Sequence, residues 1–269
     1  MTEPAAAGPA LTGPPVEATP STPGLPVNII VAIPAHDEEL LLPGCLDHVA
    51  AAVTRARAIG AVDRVIVAVA AHRCRDRTAQ VARARLTDAE PTVEWIVVED
   101  RTSTTVAEVR RTAVDAAVPL LGQSSSVWLF STDADSLVPV DWISSSLAVA
   151  TLDGADAVAG LVELLDWNPP ARARLAYELL VTRGIHSAGH DHAYGANLAV
   201  RLDAYRTVGG FTPRLHGEDH DLLRRLRAAR FRVATPLFPR VSTSGREDSR
   251  CTDGLGSLLR RLAETSDAE

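Results

Sequence analysis

The sequence contains no lysine, so all 27 of its fixed side-chain cations are arginines. The 34 aspartates and glutamates outnumber them and give a formal net charge of -7. A general nucleic-acid binder carries clustered cations that neutralise phosphates, and this composition has no such excess. We therefore expect no nucleic-acid partner.

Cysteine and long apolar runs are also scarce. The three cysteines, Cys45, Cys74 and Cys251, lie far apart and form neither a paired-thiol metal motif nor a disulfide framework. No basic start precedes an apolar run, and no stretch approaches the roughly 20 apolar residues that span a bilayer. We expect a cytoplasmic protein without a transmembrane segment. A homo-oligomer is compatible with the sequence.

Composition divides the chain into three parts. Residues 1–26 are rich in Ala, Pro, Gly, Thr and Ser and have too few large apolar side chains to pack, which predicts a disordered tail. Residues 27–241 are enough for one α/β domain with a catalytic cleft. Residues 242–269 are predicted to form a basic loop and a helical tail.

Short apolar runs alternate with helical patterns in the first half of the domain. The runs VNIIVAIP, DRVIVAVA, VEWIVVE and SVWLFSTDAD occupy 27–34, 63–70, 93–99 and 126–135. Helices are predicted from Glu38 or Pro43 to Ile59, and near 78–86 and 105–121. This alternation predicts a parallel sheet covered by helices, with ligands beyond the carboxyl ends of the strands. The second half is less regular: helices near 140–152 and 171–185, one strand at 156–165, a His-rich loop and a short strand, LAVR.

Asp133 and Asp135 flank Ala134 at the end of an apolar run. Alternate residues of an extended chain point the same way, so both carboxylates can face the cleft. Mg²⁺ and Mn²⁺ prefer such oxygen ligands and complete their coordination with water and substrate phosphates. The alternative is a pair of turn-forming aspartates ahead of the helix that follows Pro139.

A second acidic cluster, HGEDHD at 216–221, precedes leucines with helical spacing. Carboxylates in a first helical turn are favoured by the helix dipole, so the cluster is also explained as an ordinary helix start. Its functional interpretation is general-base catalysis, in which a carboxylate takes a proton from an attacking hydroxyl.

Four segments occur in an order that resembles family-2 glycosyltransferases of the GT-A fold. They are IPAHDEE at 33–39, STDADSLVPVDW at 131–142, YGANLAVRLDAYRTVGGF at 194–211 and GEDHDLLRRL at 217–226. The resemblance implies a Rossmann-like, mostly parallel central sheet flanked by helices, with a less regular acceptor-side C-terminal half.

The resemblance also implies roles for particular residues. Asp219, in the pair with Glu218, matches the catalytic base, and Asp135 matches the ligand of a metal on the diphosphate. Asp133 matches the carboxylate near the donor ribose and is a second candidate metal ligand. The remaining positions implied to contact the nucleotide are Pro34, Ala35, His36, Glu38, Ala134 and Arg110, with Arg111 as the alternative to Arg110.

The activity implied is inverting transfer of a sugar from a nucleoside-diphosphate donor, a UDP- or GDP-sugar, to the hydroxyl of an unknown acceptor. Mn²⁺ or Mg²⁺ would offset the charge that builds on the leaving diphosphate. Two alternatives stay open: a nucleotidyl or phosphoryl transferase, and an inactive family member that only binds a nucleotide.

The sequence departs from the family pattern at two places. Ala70 and Ala71 stand where most relatives carry an aspartate expected to read the base. Three interpretations stay open: His72 substitutes for it, Asp76 substitutes for it, or the loop is structural. Ala113 stands near the place of a glycine in the third helix.

Histidines and arginines outside these motifs are further candidates. His186, His190 and His192 could ligate zinc, but an acceptor-side or solvated loop is the preferred interpretation. A contact of His216 with metal or acceptor stays open. Arg246 and Arg250 could approach a diphosphate, but a solvated basic tail is preferred for both.

Overall fold

The computed structural model describes residues 27–88, 93–122, 126–247 and 254–267. The predicted tail at 1–26, Arg250 and Cys251 lie outside these residues. Within the described ranges, no helix has the length and apolarity needed to cross a membrane.

The central feature is a seven-stranded sheet in the order β11-β6-β10-β4-β1-β2-β3. Strands β1 to β4 are mutually parallel, and β10 runs antiparallel to both of its neighbours. This confirms the predicted α/β class with a mostly parallel sheet. The strands are β1 (Val27–Ala35), β2 (Val62–His72), β3 (Glu94–Asp100), β4 (Val127–Ser131), β5 (Ser136–Leu137), β6 (Ala157–Ala159), β7 (Val162–Leu165), β8 (Ile185–His186), β9 (Gly189–His190), β10 (Leu198–Arg201), β11 (Val233–Ala234) and β12 (Val241–Ser244).

Helices cover both faces of the sheet, which explains why β1 is apolar at successive positions. Ile29, Val31 and Ile33 pack into the cluster beneath α1, whereas Ile30 and Ala32 pack on the opposite face beneath α3. The helices are α1 (Leu42–Ala58), α2 (Thr78–Asp88), α3 (Val106–Ala117), α4 (Trp142–Asp153), α5 (Ala171–Arg183), α6 (Leu202–Thr207), α7 (Glu218–Ala228) and α8 (Leu255–Asp267), with a 3-10 turn at Val118–Leu121.

The single strand predicted at 156–165 is wrong, because the chain leaves the central sheet at Gly160. Strand β6 ends at Ala159, and β7 joins a second sheet of order β5-β12-β7. A Cβ at position 160 would lie 2.3 Å from the Asn197 side chain, so the chain crosses at the one residue type that fits. The second sheet carries the C-terminal segment back to the end of β4.

Candidate active site

A cavity of about 1030 Å³ opens at the carboxyl ends of the central strands. Its volume suits a ligand of nucleotide size. All ten residues implied by the resemblance line this one cavity: Pro34, Ala35, His36, Glu38, Arg110, Asp133, Ala134, Asp135, Glu218 and Asp219. The carboxylates at 135 and 219, far apart in sequence, therefore share one space.

Asp133 and Asp135 lie in the turn between β4 and β5. Asp133 keeps 34% of its side chain exposed, whereas Asp135 keeps 14%. Helix α4 begins later, with Asp141 at its N-cap, so these two carboxylates do not start that helix. Burial, then the neighbouring carboxylates of Asp133 and Glu38, raise the pKa of Asp135 to about 6 against the opposing effect of Arg246.

Arg110 joins the two acidic clusters. Its Nη2 lies 2.6 Å from Asp133 Oδ1, its Nε lies 3.4 Å from Glu218 Oε1, and its Nη1 donates to Ser131 Oγ at 2.8 Å. Only 3% of the side chain is exposed. Burial alone would lower the pKa of Arg110, but Asp133 and Glu218 overcome this and raise it. Arg111 instead points to solvent, with its Nε 3.8 Å from Asp115 Oδ2 of its own helix. Of the two arginines, therefore, only Arg110 lines the cavity.

The capping of α3 explains how Arg110 is aimed. Thr105 accepts a hydrogen bond from Glu108 N, and the Glu108 carboxylate accepts one from Thr105 N. This capping box fixes the first turn of the helix. Arg110 then follows two residues after Glu108, on the face of α3 that packs against the sheet.

Helix α7 begins with the second acidic cluster and divides its carboxylates between two faces. Glu218 is buried, and burial raises its pKa despite the adjacent Arg110. Asp219 Oδ2 accepts a hydrogen bond from Gly195 N at 2.9 Å and lines the cavity. The Asp221 side chain points away from the cavity and forms ion pairs with Arg225 and two other arginines. The helix-start interpretation therefore fits Asp221, whereas Glu218 and Asp219 face the cavity.

Arg246 corrects the expectation of a solvated tail. Strand β12 hydrogen-bonds to β5 and β7, and Ser244 N donates to Asp135 O at 3.1 Å, which brings the following residues to the cavity. The Arg246 guanidinium forms an ion pair with the buried Glu38 carboxylate and lies 2.8 Å from Asp135 Oδ2. Little in the local sequence indicates this contact, because it depends on the second sheet.

The side chains at the end of β4 fit a divalent cation. Two arginines, Arg110 and Arg246, form ion pairs with the carboxylates there. The surrounding acidic groups are Glu38, Asp133, Asp135, Glu218 and Asp219. Burial is the main cause of the raised pKa of Asp135, and the neighbouring carboxylates add to it. Oxygen donors of this kind are the ligands that Mg²⁺ and Mn²⁺ prefer.

Of the two candidates at the end of β2, only His72 lines the cavity. Asp76 accepts hydrogen bonds from Glu39 N and Thr78 N, both at 2.9 Å, and so holds two loops together outside the cavity. His72 lines the cavity and lies opposite Asp100 in the register of β2 and β3.

The three histidines between α5 and β10 do not converge. Among the described residues, Asp37, Cys74 and Asp76 are the only group of three or more potential metal ligands whose ligand atoms all lie within 4.8 Å of one another. His186 is half-exposed on the small β8-β9 hairpin, and His190 is buried. His192 and His216 both line the cavity. The His192 Nε2 atom lies 2.9 Å from Val181 O.

An aromatic and apolar wall adjoins the acidic end of the cavity and was not found from the sequence. His192 stacks on Tyr194, with ring centroids 5.8 Å apart. Tyr177 lines the same wall from α5, and its buried hydroxyl makes no hydrogen bond to a described residue. Burial raises the pKa of Tyr177 to about 12, so the hydroxyl is neutral.

No protein-family model matches the chain, and no curated protein matches it. Several solved structures are similar to the chain. A TarS 1–349 structure from S. aureus, in complex with UDP-GlcNAc, is 12% identical over 88% of this chain and 65% of its own, with a TM-score of 0.56. The mannosyltransferase PcManGT from Pyrobaculum calidifontis, with GDP-Man and Mn²⁺, is 16% identical over 84% of this chain and 59% of its own, with a TM-score of 0.57.

The chain has the GT-A fold of glycosyltransferases. GalNAc-T7, solved with UDP, GalNAc and Mn²⁺, agrees with this: it is 14% identical over 89% of this chain and 48% of its own, with a TM-score of 0.57. At these identities the similarity shows the GT-A fold alone. The chain spans 65% or less of the length of each of these three structures.

Proposed function

We propose that this chain is an inverting glycosyltransferase that moves a sugar from a nucleoside-diphosphate donor to an acceptor hydroxyl. The observation that carries the proposal is the shared cavity, which both Asp135 and Asp219 line. The buried Arg110 bonds to their chain neighbourhoods, at Asp133 and Glu218. The GT-A fold and the nucleotide-sugars bound by TarS and PcManGT support a donor of this class.

Residues at one end of the cavity would bind the metal and position the donor diphosphate. Asp133 and Asp135 would hold Mn²⁺ or Mg²⁺, which offsets negative charge on the leaving diphosphate when bound. Arg110 holds the Asp133 side chain in place through its ion pair, and Arg246 brings a further positive charge to the same end of the cavity. Because these groups are fixed by buried contacts, little reorganisation accompanies the reaction.

Asp219 is the proposed base. Its carboxylate takes the proton of the acceptor hydroxyl while that oxygen forms a bond to the anomeric carbon. The bond from that carbon to the diphosphate oxygen breaks, and the nucleoside diphosphate leaves with the electron pair. The hydrogen bond from Gly195 N orients the Asp219 carboxylate without neutralising it.

The test is donor hydrolysis, in which water takes the place of the acceptor hydroxyl. With Mn²⁺ and a panel of UDP- and GDP-sugars, we expect release of a nucleoside diphosphate. Asp219→Asn should lower turnover by at least about a hundredfold, the scale of general-base catalysis, with the donor Kd within about threefold of wild type. Asp221→Asn, on the other face of the same helical turn, is the matched control and should keep turnover.

Each alternative has its own signature in this assay. Release of pyrophosphate would identify a nucleotidyl transferase. Nucleotide binding without turnover of any donor would identify a binding protein. Unchanged turnover in Asp219→Asn would remove this residue from the role of base.

A further inference from the structure

A partly exposed histidine and a buried aspartate face each other at the carboxyl ends of β2 and β3. Asp100 Oδ2 lies 3.6 Å from His72 Nδ1. Both atoms are buried, and neither makes a hydrogen bond of normal geometry to any described residue. A shift of the imidazole by a fraction of an ångström would make the contact a hydrogen bond, so each group is the natural partner of the other.

The Asp100 carboxylate is fixed and ionised. Its Oδ1 accepts hydrogen bonds from Thr102 N at 2.9 Å and Ser103 N at 3.1 Å. Burial alone would raise the pKa of Asp100, but these hydrogen bonds outweigh it and lower the pKa to about 2. An ionised carboxylate has only acceptors to offer, so it favours the His72 tautomer with the proton on Nδ1.

That tautomer turns the other edge of His72 into a hydrogen-bond acceptor. The Nδ1 edge is buried against Asp100, and His72 lines the cavity, which leaves the Nε2 edge to face a ligand. The groups that face the ring are Asp100 from β3, Arg73 from its own loop and His36 from the β1 loop. Burial, Arg73 and His36 together outweigh Asp100 and lower the pKa of His72, so the ring is neutral at pH 7.

The separation between His72 and the acidic end of the cavity suits a donor's nucleobase. Asp133 follows β4, and β1 lies between β4 and β2 in the sheet. Two strand spacings, about 10 Å, therefore separate the diphosphate end from His72, which suits the ribose and base of an extended nucleotide. Asp219 and Tyr194 line another part of the cavity, where the sugar and acceptor would meet.

We propose that His72, oriented by Asp100, selects the donor's nucleobase by accepting a hydrogen bond at Nε2 from a ring N–H. The proposal rests on the proposed function. Uracil and guanine carry such an N–H, whereas the equivalent ring nitrogens of cytosine and adenine are acceptors and would leave two acceptors facing each other. Ala70 and Ala71 are buried in β2 and supply no carboxylate, so Asp100 acts through the imidazole instead.

The test is calorimetric binding of UDP, GDP, CDP and ADP to the full chain with Mn²⁺. UDP or GDP should bind at least about tenfold tighter than CDP and ADP, the scale of one unmatched buried hydrogen bond. His72→Ala should reduce this preference to within about threefold. Asp100→Asn should also erode it, because the amide can donate to Nδ1 and move the ring proton to Nε2. The control His186→Ala changes an exposed histidine outside the cavity and should keep the preference.

The outcomes separate this inference from the function on which it rests. If none of the four nucleotides binds, the proposed function fails. If they bind with no dependence on the base, if CDP or ADP binds more tightly, or if His72→Ala keeps the wild-type preference, the role of His72 is refuted while nucleotide binding stands. A merely structural His72 would change all four affinities in parallel.

Discussion

Replacing Arg110 with methionine tests whether its buried guanidinium stabilises the fold by compensating the carboxylates beside it. The substitution keeps most of the side-chain volume but leaves Asp133 and Glu218 without the guanidinium between them. Removing one partner of a buried ion pair costs about 3 to 5 kcal/mol, because the remaining charge is left uncompensated. Because Asp133 is one-third exposed and water can reach it, we expect the lower half of that range.

Thermal and urea unfolding measure this effect. A loss of about 3 kcal/mol should lower Tm by about 10 °C in a domain of this size. Arg111→Met, one residue along the same helix but exposed, is the matched control and should change stability by less than about 0.5 kcal/mol. Adding Glu218→Gln to Arg110→Met should recover part of the loss. Equal stability of the two arginine variants, or no recovery in the double variant, would refute the buried-cation argument.

Three further predictions concern single residues. Asp135→Ala should remove the Mn²⁺ dependence of donor binding, and an unchanged Mn²⁺-dependent Kd would count against its role as ligand. Gly195→Ala should destabilise the fold by about 1 to 3 kcal/mol, because the new Cβ would lie 2.4 Å from Arg110 Nη2. The arginines around Asp221, Arg225 among them, overcome the effect of burial and lower the pKa of Asp221. The ionised Asp221 therefore stabilises the folded state above the unfolded-state pKa near 4, and this stabilisation is lost as the pH falls through the folded-state pKa. Unfolding free energies of wild type and Asp221→Asn should thus differ by about 2 kcal/mol at pH 7 and converge in acid, and a constant difference would contradict this.

The strands and their polar ends were predictable because local sequence determines them. Ile29 to Ile33 are apolar without alternation, which is the pattern of a strand buried on both faces, and the structure places them there. The predicted site residues lie at or just after the ends of such strands, or in the first two turns of helices. Parallel strands bring their carboxyl ends to one edge, so a shared cavity was a consequence of topology.

Other features depended on contacts between distant segments. The strand break at Gly160 is set by the Asn197 side chain, and the position of Arg246 is set by β12 joining β7. Neither relation leaves a periodic signal in the local sequence. The pairing of His72 with Asp100 is of the same kind, because it depends on the register between β2 and β3.

The sequence by itself determined the α/β class, the strand ends that carry chemistry and the identity of the carboxylates that line the cavity, since apolar periodicity and motif order are local properties. Tertiary structure decided which cations meet those carboxylates. Arg110 and Arg111 are adjacent and chemically identical, and only the orientation of α3 against the sheet buries one and exposes the other. Packing therefore determined the electrostatics of the site. The interaction between two charges depends on the distance between them and on their burial, and the local sequence determines neither.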